Sequence, residues 1–422
     1  MKFSPTEIKN YFVARIRFAL WRAEVTKKPV LSALVPCPPR NVLVIASDPG
    51  EVVGSRGDDA MLTVLIAALR ERNQECRIGV VCVSEPLPSI LQCDGVHAEP
   101  LWNGHGYTKF LSSLEGYDTV VMIGADVLDG HYSDSNALRQ WAFSDLAARR
   151  GLRTFVLGCS LSNNISASVR RALPLLSSKL RVFARERQSK SRFDRLAASE
   201  AVLVADSAFL LQPTTTASDY SVVQAWAESQ RNEGRFVCAV NVHPMLFQNY
   251  DMGCIAELNL AITEVLGRLR HRYPVSILLI AHDFREGDLG DNAALSPLYK
   301  LLAPMFGGHV LHASRPARAS EIKAMLGTVD MLITGRMHLG VSALSVGVPM
   351  WGVSPQDKFI GLFEHFGLPD QRITPLQACN VAELKDFIEN AFSQREQVRG
   401  QIRAALPAVK ALATKNFLML DS

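Results

Sequence analysis

The chain has 422 residues, 48% hydrophobic and 20% charged, a composition of globular proteins that argues against long disorder and exceeds the usual span of one hydrophobic core. A formal charge of +4 on that length argues against a nucleic-acid-binding surface while leaving room for local anion sites. The eight cysteines are scattered without a C-x-x-C pair, several in apolar runs such as Val80–Val83, and read as reduced thiols of a cytoplasmic protein.

Taken in chain order, residues 1–40 form an N-terminal amphipathic segment. Ile8, Phe12, Ile16 and Leu20 recur at helical spacing among Lys2, Lys9, Arg15, Arg17 and Arg22. Such a helix packs on the body or on a partner, or makes peripheral contact through residues 1–28 with anionic lipid at the inner face of a membrane. No signal-peptide core and no apolar run of about 20 residues occurs, so neither secretion nor a membrane span is expected.

From Asn41 onward short apolar runs alternate with amphipathic stretches, the pattern of a parallel sheet covered by helices. Strands are expected at 41–46, 77–83, 119–123, 154–157, 181–184 and 202–205, with helices at 60–72 and 135–149. The stretch QPTTTAS then breaks the rhythm, which places a linker at 213–218 between a first domain over 41–212 and a second over 219–380. In the second domain strands are expected at 236–242, 277–281, 331–334 and 349–353, with a helix at 255–270, and residues 381–422 read as a helical tail covering apolar surface. The expected fold class is α/β, two Rossmann-like domains facing a cleft, with ligands beside the carboxyl ends of the strands.

Polar motifs follow several of these strands. The first runs from Gly50 to Leu62 and holds Gly54, Gly57, Asp58 and Asp59 ahead of a helix. Its glycines let backbone approach a ligand at the helix N-terminus, or they make a turn with Asp58 as N-cap. It is neither a dinucleotide fingerprint nor a Walker loop. The second motif holds Gly124, Asp126, Asp129 and Gly130, where the carboxylates would orient sugar hydroxyls or move protons, or cap the next helix. The third, Arg185-Glu186-Arg187 with Ser189, offers a guanidinium fork for carboxylate or phosphate, or a surface pair with Glu186.

The fourth motif, from Asp330 to Pro349, runs from an apolar strand through Arg336 and His338 into a helix rich in small residues. Two cationic or donor groups would thus stand at an anion-favouring helix N-terminus, with Lys358 after the following strand. The polar stretch from Ala281 through His282 to Asp291 and the turn Asn241-Val-His243-Pro244 read as loops contacting an acceptor substrate, since no second spaced histidine pair supports a metal site.

In this order the motifs resemble those of the polysaccharide pyruvyl transferase family: a G-x-x-G-D-D-A-like turn, a G-x-D-x-x-D loop, Gly158-Cys-Ser160, A-R-E-x-x-S and D-x-x-I-x-x-R-x-H with its G-V-P strand. The turn Ser55-Arg56-Gly57 and the loop Gly124-Ala125-Asp126 depart from the family's less basic turn and its triple glycine. The resemblance implies a fold like that of the GT-B glycosyltransferases and transfer of pyruvate from phosphoenolpyruvate onto saccharide hydroxyls as a ketal, without a further cofactor. It carries over to Arg336 and His338, and more weakly to Arg185 and Lys358. Under it His338 is the acid that protonates the enol methylene or the phosphate, and Asp58, Asp126 or Asp129 is the base. A GT-B nucleotide-sugar glycosyltransferase and a non-catalytic scaffold subunit of polysaccharide assembly are the competing readings. The acceptor sugar, its attachment to a lipid carrier and the formation of a homo-oligomer are left open.

Overall fold

The computed structural model describes residues 5–27, 37–83, 87, 91, 93–97, 106–216, 218–247, 251–354 and 358–421, the side chains of 5–9, 11, 94–97, 218 and 358 excepted. The chain forms two compact units, one of residues 1–53, 61–207 and 411–422 and the other of 54–60 and 208–410.

The first unit is built on strands β1 (Asn41–Ile45), β2 (Arg77–Cys82), β3 (Asp94–His97), β4 (Thr119–Ala125), β5 (Arg153–Cys159), β6 (Arg181–Ala184) and β7 (Val202–Leu203). They lie parallel in the order β3-β2-β1-β4-β5-β6-β7. The second unit holds β8 (Phe236–Asn241), β9 (Val275–Ile280), β10 (Val310–Ala313), β11 (Met331–Thr334), β12 (Met350–Val353) and β13 (Arg372–Ile373). These are also parallel, in the order β10-β9-β8-β11-β12-β13. Each sheet grows outward from its first strand and then reverses to the other side, which is the doubly wound Rossmann order. The two Rossmann-like halves expected from the alternation are therefore present. The switch point lies between β1 and β4 in one sheet and between β8 and β11 in the other.

The strands form because covered parallel sheets bury both faces and so select continuous runs of Val, Ile and Leu. β4, β8 and β9 are buried at every position. β4 extends to Ala125, beyond the expected end, because Gly124 has no side chain: a Cβ there would stand 2.6 Å from that of Cys159.

Six helices matter below: α1 (Pro5–Val25), α2 (Arg56–Arg72), α3 (Asp134–Arg149), α4 (Ala319–Leu326), α5 (Met337–Ser345) and α6 (Val381–Thr414). α1 packs on α3 through Ala14, Arg17 and Trp21, with Trp21 Nε1 donating to Asp145 Oδ2 at 2.9 Å and Arg17 Nη1 to the Ser135 carbonyl at 2.9 Å. The apolar stripe picked out by spacing is a different one: Phe12, Ile16 and Leu20 point outward, at 58%, 49% and 38% exposure, while the side chain of Ile8 lies outside the description. The tail buries Leu384, Ile388, Phe392, Ile402 and Val409, and Asn416 beyond it donates to the Ala205 carbonyl at 2.8 Å in the first unit. Lys323 of α4 is buried and donates to the carbonyls of Leu211 at 2.5 Å and Phe209 at 3.3 Å, its pKa pushed down to about 7 by burial and by the nearby Lys410 charge. Four of the free cysteines are buried and Cys37 is exposed. Among the described residues no helix is long and apolar enough to cross a membrane.

Candidate active site

In the second unit the carboxyl ends of β8, β9 and β11 meet beside the switch point, where open α/β sheets hold ligands. β8 ends on Asn241 with His243 just beyond it, and β9 leads into His282 and Asp283. β11 leads into Arg336, which occupies the N-cap position of α5, and His338 in its first turn. The Arg336 side chain does not cap the helix, so the first-turn N–H groups are not satisfied by the cap residue and keep their anion-favouring dipole.

Asp291 organises this corner. Its fully buried carboxylate accepts Arg336 Nε at 3.0 Å and Nη2 at 2.6 Å on one oxygen. The other oxygen accepts Asn241 Nδ2 at 2.8 Å and the backbone N–H groups of His282 at 2.8 Å and Asp283 at 3.2 Å. Asp283 adds a second anion 3.3 Å from Arg336 Nη2 and holds Arg285 Nη2 at 2.6 Å. Burial works to raise the Asp283 carboxyl, but the Arg285 hydrogen bonds and the Arg336 and Arg285 charges outweigh it and hold the group below its ordinary value. The guanidinium of Arg336 is thus oriented and largely neutralised. What it retains for a ligand is Nη1, whose neighbour is the weak thioether acceptor Met245 Sδ at 3.4 Å.

His282 is 4% exposed, and burial, followed by the charges of His338, Arg336 and Arg56, keeps its pKa well below the ordinary imidazole value. It is a neutral ring at neutral pH. His243 is also buried and lies against Gly335, where a Cβ would stand 2.6 Å from its Nε2.

Residues 54–60, which include Gly54, complete the cluster. Ser55 bridges to Asp283, and Arg56 lies 5.1 Å from the Phe284 ring centre while its Nε donates to the Ala317 carbonyl at 2.5 Å. Buried Asp59 accepts Arg318 Nε at 2.8 Å and the Ala319 N–H at 2.9 Å, which pins the start of α2 to the start of α4. Because α2 starts at Arg56, Asp58 sits inside its first turn, 9% exposed, and is not the N-cap expected from the sequence.

Gly57 faces the His338 imidazole so closely that a Cβ would overlap Nδ1. Gly57→Ala is expected to cost about 1–3 kcal/mol of stability by overpacking. In an unfolding double-mutant cycle His338→Ala should recover most of that loss; strictly additive costs would mean that the new methyl group meets something else.

The remaining expected site residues lie in the first unit, except Lys358, whose side chain is outside the description. Arg185 is 1% exposed, with Nη1 on Asp206 at 2.7 Å and Nε on Ser160 Oγ at 2.6 Å and Glu186 at 3.1 Å. Burial opposes its charge, yet Asp206, Glu186 and Asp126 more than offset that and raise its pKa. The pair with Glu186 is therefore buried rather than the surface pair weighed above. Asp129, also buried, accepts the N–H groups of His131 at 2.8 Å and Ser162 at 3.1 Å, which shapes the loop after β4. Neither Asp126 nor Asp129 caps the next helix: Ser133 does, accepting the Asn136 N–H at 3.3 Å. Asp126 is half-buried, 3.5 Å from the Tyr132 hydroxyl, and Gly124 is needed for the close approach to β5.

Sequence reasoning brought Arg336, His338, His282, His243, Gly57 and Asp58 forward, and all six lie in the second unit's cluster. It named Asp291 and Asn241 only as members of polar strand-end stretches, and gave no role to Asp59. The available signal was local: a lone Asn closing an apolar strand, and an Asp at the N-cap position of a following helix.

The sequence model of the polysaccharide pyruvyl transferase family matches residues 56–357. No curated protein matches the chain. Among solved structures the chain is similar to the UDP-GlcNAc 2-epimerase of Neisseria meningitidis bound to UDP-GlcNAc, at 12% identity and TM-score 0.56 over 90% of this chain and 99% of that one. It is similar to S. aureus MnaA in a co-structure with UDP, at 11% identity and TM-score 0.58 over 89% and 94%. The UDP-GlcNAc 2-epimerase of Methanocaldococcus jannaschii follows at 13% identity and TM-score 0.51 over 83% and 92%. These likenesses carry the fold, the GT-B-like class with two Rossmann-like halves. The family match spans the cluster from Arg56 past His338, and the chain belongs to the polysaccharide pyruvyl transferase family.

Proposed function

We propose that the chain transfers the pyruvyl group of phosphoenolpyruvate onto two hydroxyls of a saccharide, forming a ketal and releasing phosphate. The observation that carries this reading is the convergence of Arg336, His338 and the Gly57–Asp58 turn at the carboxyl ends of β8, β9 and β11, inside the stretch that matches the family. Phosphoenolpyruvate presents a phosphate and a carboxylate. Arg336 Nη1, aimed by the hold of Asp291 on the other two nitrogens, and the first-turn N–H groups of α5 suit such oxyanions, and since Asp291 and Asp283 offset the arginine's charge, directed donors rather than net charge supply the affinity.

His338 gives a proton to the enol methylene, which leaves an electrophilic carbon stabilised by its own oxygen. One sugar hydroxyl adds there and loses its proton to Asp58. Phosphate then departs with the bonding pair and takes up a proton, and the second hydroxyl closes the ketal. The two hydroxyl protons balance those consumed at the methylene and on phosphate. No resident metal or organic cofactor enters this reading.

Thermal stabilisation tests it, because a ligand that binds the native state raises stability by about 2.7 kcal/mol at a hundredfold excess over Kd. Phosphoenolpyruvate is expected to stabilise the protein, and less so in Arg336→Lys, which keeps the charge but has one nitrogen to pair with Asp291 and no second one aimed at a ligand. Lysine is preferred to alanine because alanine would leave Asp291 buried and unpaired. Stabilisation by nucleotide-sugars alone would replace this reading with glycosyl transfer, and stabilisation by neither would point to a non-catalytic subunit.

A further inference from the structure

α1 turns a face to solvent on the side away from the one buried against α3. Residues of a helix advance by about 100° each, so the buried positions Ala14, Arg17 and Trp21 fall on one side. The exposed residues between Phe12 and Lys27 fall on the other: Phe12, Arg15, Ile16, Ala19, Leu20, Arg22, Ala23, Thr26 and Lys27. Five of these nine are apolar, three are cations and none is acidic. Glu24, the carboxylate within that span, is half-buried and pairs with Lys27 at 2.6 Å.

On the helix surface Phe12, Ile16, Ala19, Leu20 and Ala23 form one ridge, with Arg15 and Arg22 along a single flank. At its C-terminal end the helix borders a cavity of about 210 Å³ whose lining includes Lys27, Arg149, Arg150 and Lys179 with the single carboxylate Glu24. Lys27 and Arg149 pair there with Glu24 and Asp145, so the positive charge that continues past the helix is that of Arg150 and Lys179.

We propose that this face of α1 docks on an anionic lipid surface. Phe12, Ile16 and Leu20 enter the headgroup region, and Arg15, Arg22 and Lys27 pair with lipid phosphates. Charge decides between occupants. A second copy of the chain, packed face to face about a two-fold axis, would set these cations against their own images, with no exposed carboxylate between Phe12 and Lys27 to answer them. An anionic bilayer supplies both the apolar depth and the opposite charge. This inference does not depend on the reaction proposed above.

Vesicle flotation of the full chain tests it, with phosphatidylcholine vesicles against vesicles of phosphatidylcholine and phosphatidylglycerol. The wild type is expected to float with the anionic vesicles only, and to release from them as salt is raised. The Ile16→Gln/Leu20→Gln variant should lose the binding. Arg15→Gln/Arg22→Gln should weaken it about 30-fold, from about 1 kcal/mol per cation near the surface. All these positions are exposed, so both variants should keep the wild-type thermal transition. The proposal is overturned if the wild type ignores anionic vesicles, or if both variants bind as well as it does. It is equally overturned if sedimentation gives a dimer that Ile16→Gln/Leu20→Gln dissolves, since a second copy would then be the occupant.

Discussion

Replacing His338 by glutamine is expected to lower turnover with phosphoenolpyruvate by about 10²–10⁴-fold, the usual contribution of a positioned general acid, while the donor still stabilises the protein thermally. Glutamine keeps most of the ring's bulk and can hydrogen-bond, so the first turn of α5 and its contact with Gly57 are disturbed little. What it lacks is a transferable proton. The proposed reaction takes His338 as its acid rather than either of the other two histidines of the cluster. His282 is buried among positive groups and stays neutral, which makes it a poor proton source, and His243 is buried against Gly335. His338 is the half-buried ring of the three.

Arg336→Lys should behave in the opposite way, weakening donor binding more than the chemical step, because a lysine cannot hold Asp291 and present a separate donor to the ligand at once. Single-turnover measurements on both variants separate the two roles. Wild-type turnover in His338→Gln would move the acid to another group. Loss of donor stabilisation in that variant would make His338 a binding residue.

The alternation of apolar runs and the strand-end motifs were readable because a covered parallel strand must be apolar along its whole length, and because polar residues collect where the strands stop. The strands β3, β10 and β13 were not, since Asp94 and His97, His312 and Arg372 within them leave apolar runs of at most two residues. The partners of Asp291 could not be read for a topological reason. It stands 45 positions from Arg336 and 50 from Asn241, and only the order β9-β8-β11 brings the three together. Arg185 shows the converse: an arginine beside a strand end suggests a ligand, but burial among Glu186, Asp206 and Ser160 commits its fork to the protein. On α1 the helical spacing of Phe12, Ile16 and Leu20 was correct as a stripe, yet the packing face was set by Trp21 and Arg17, whose long side chains find partners on α3.

Asp291→Ala is expected to destabilise the protein by about 3–5 kcal/mol, the cost of removing one partner of a buried charge pair. At about 2–4 °C per kcal/mol for a unit of this size, that lowers its transition by roughly 6–20 °C. The loss has two sources. Arg336, with a side chain 15% exposed, would keep only Asp283 at 3.3 Å, and the Asn241 amide with the N–H groups of His282 and Asp283 would lose their shared acceptor. Asp291→Asn should cost nearly as much despite its shape. An amide has one acceptor oxygen, so its NH₂ must confront either the guanidinium or the group of N–H donors on the other side. Differential scanning calorimetry on both variants measures the effect. A transition within about 2 °C of wild type in either, less than 1 kcal/mol, would mean that Asp291 does not hold the corner. The same substitutions should also weaken stabilisation by phosphoenolpyruvate, because a guanidinium freed from its bidentate hold must be ordered again each time a ligand binds.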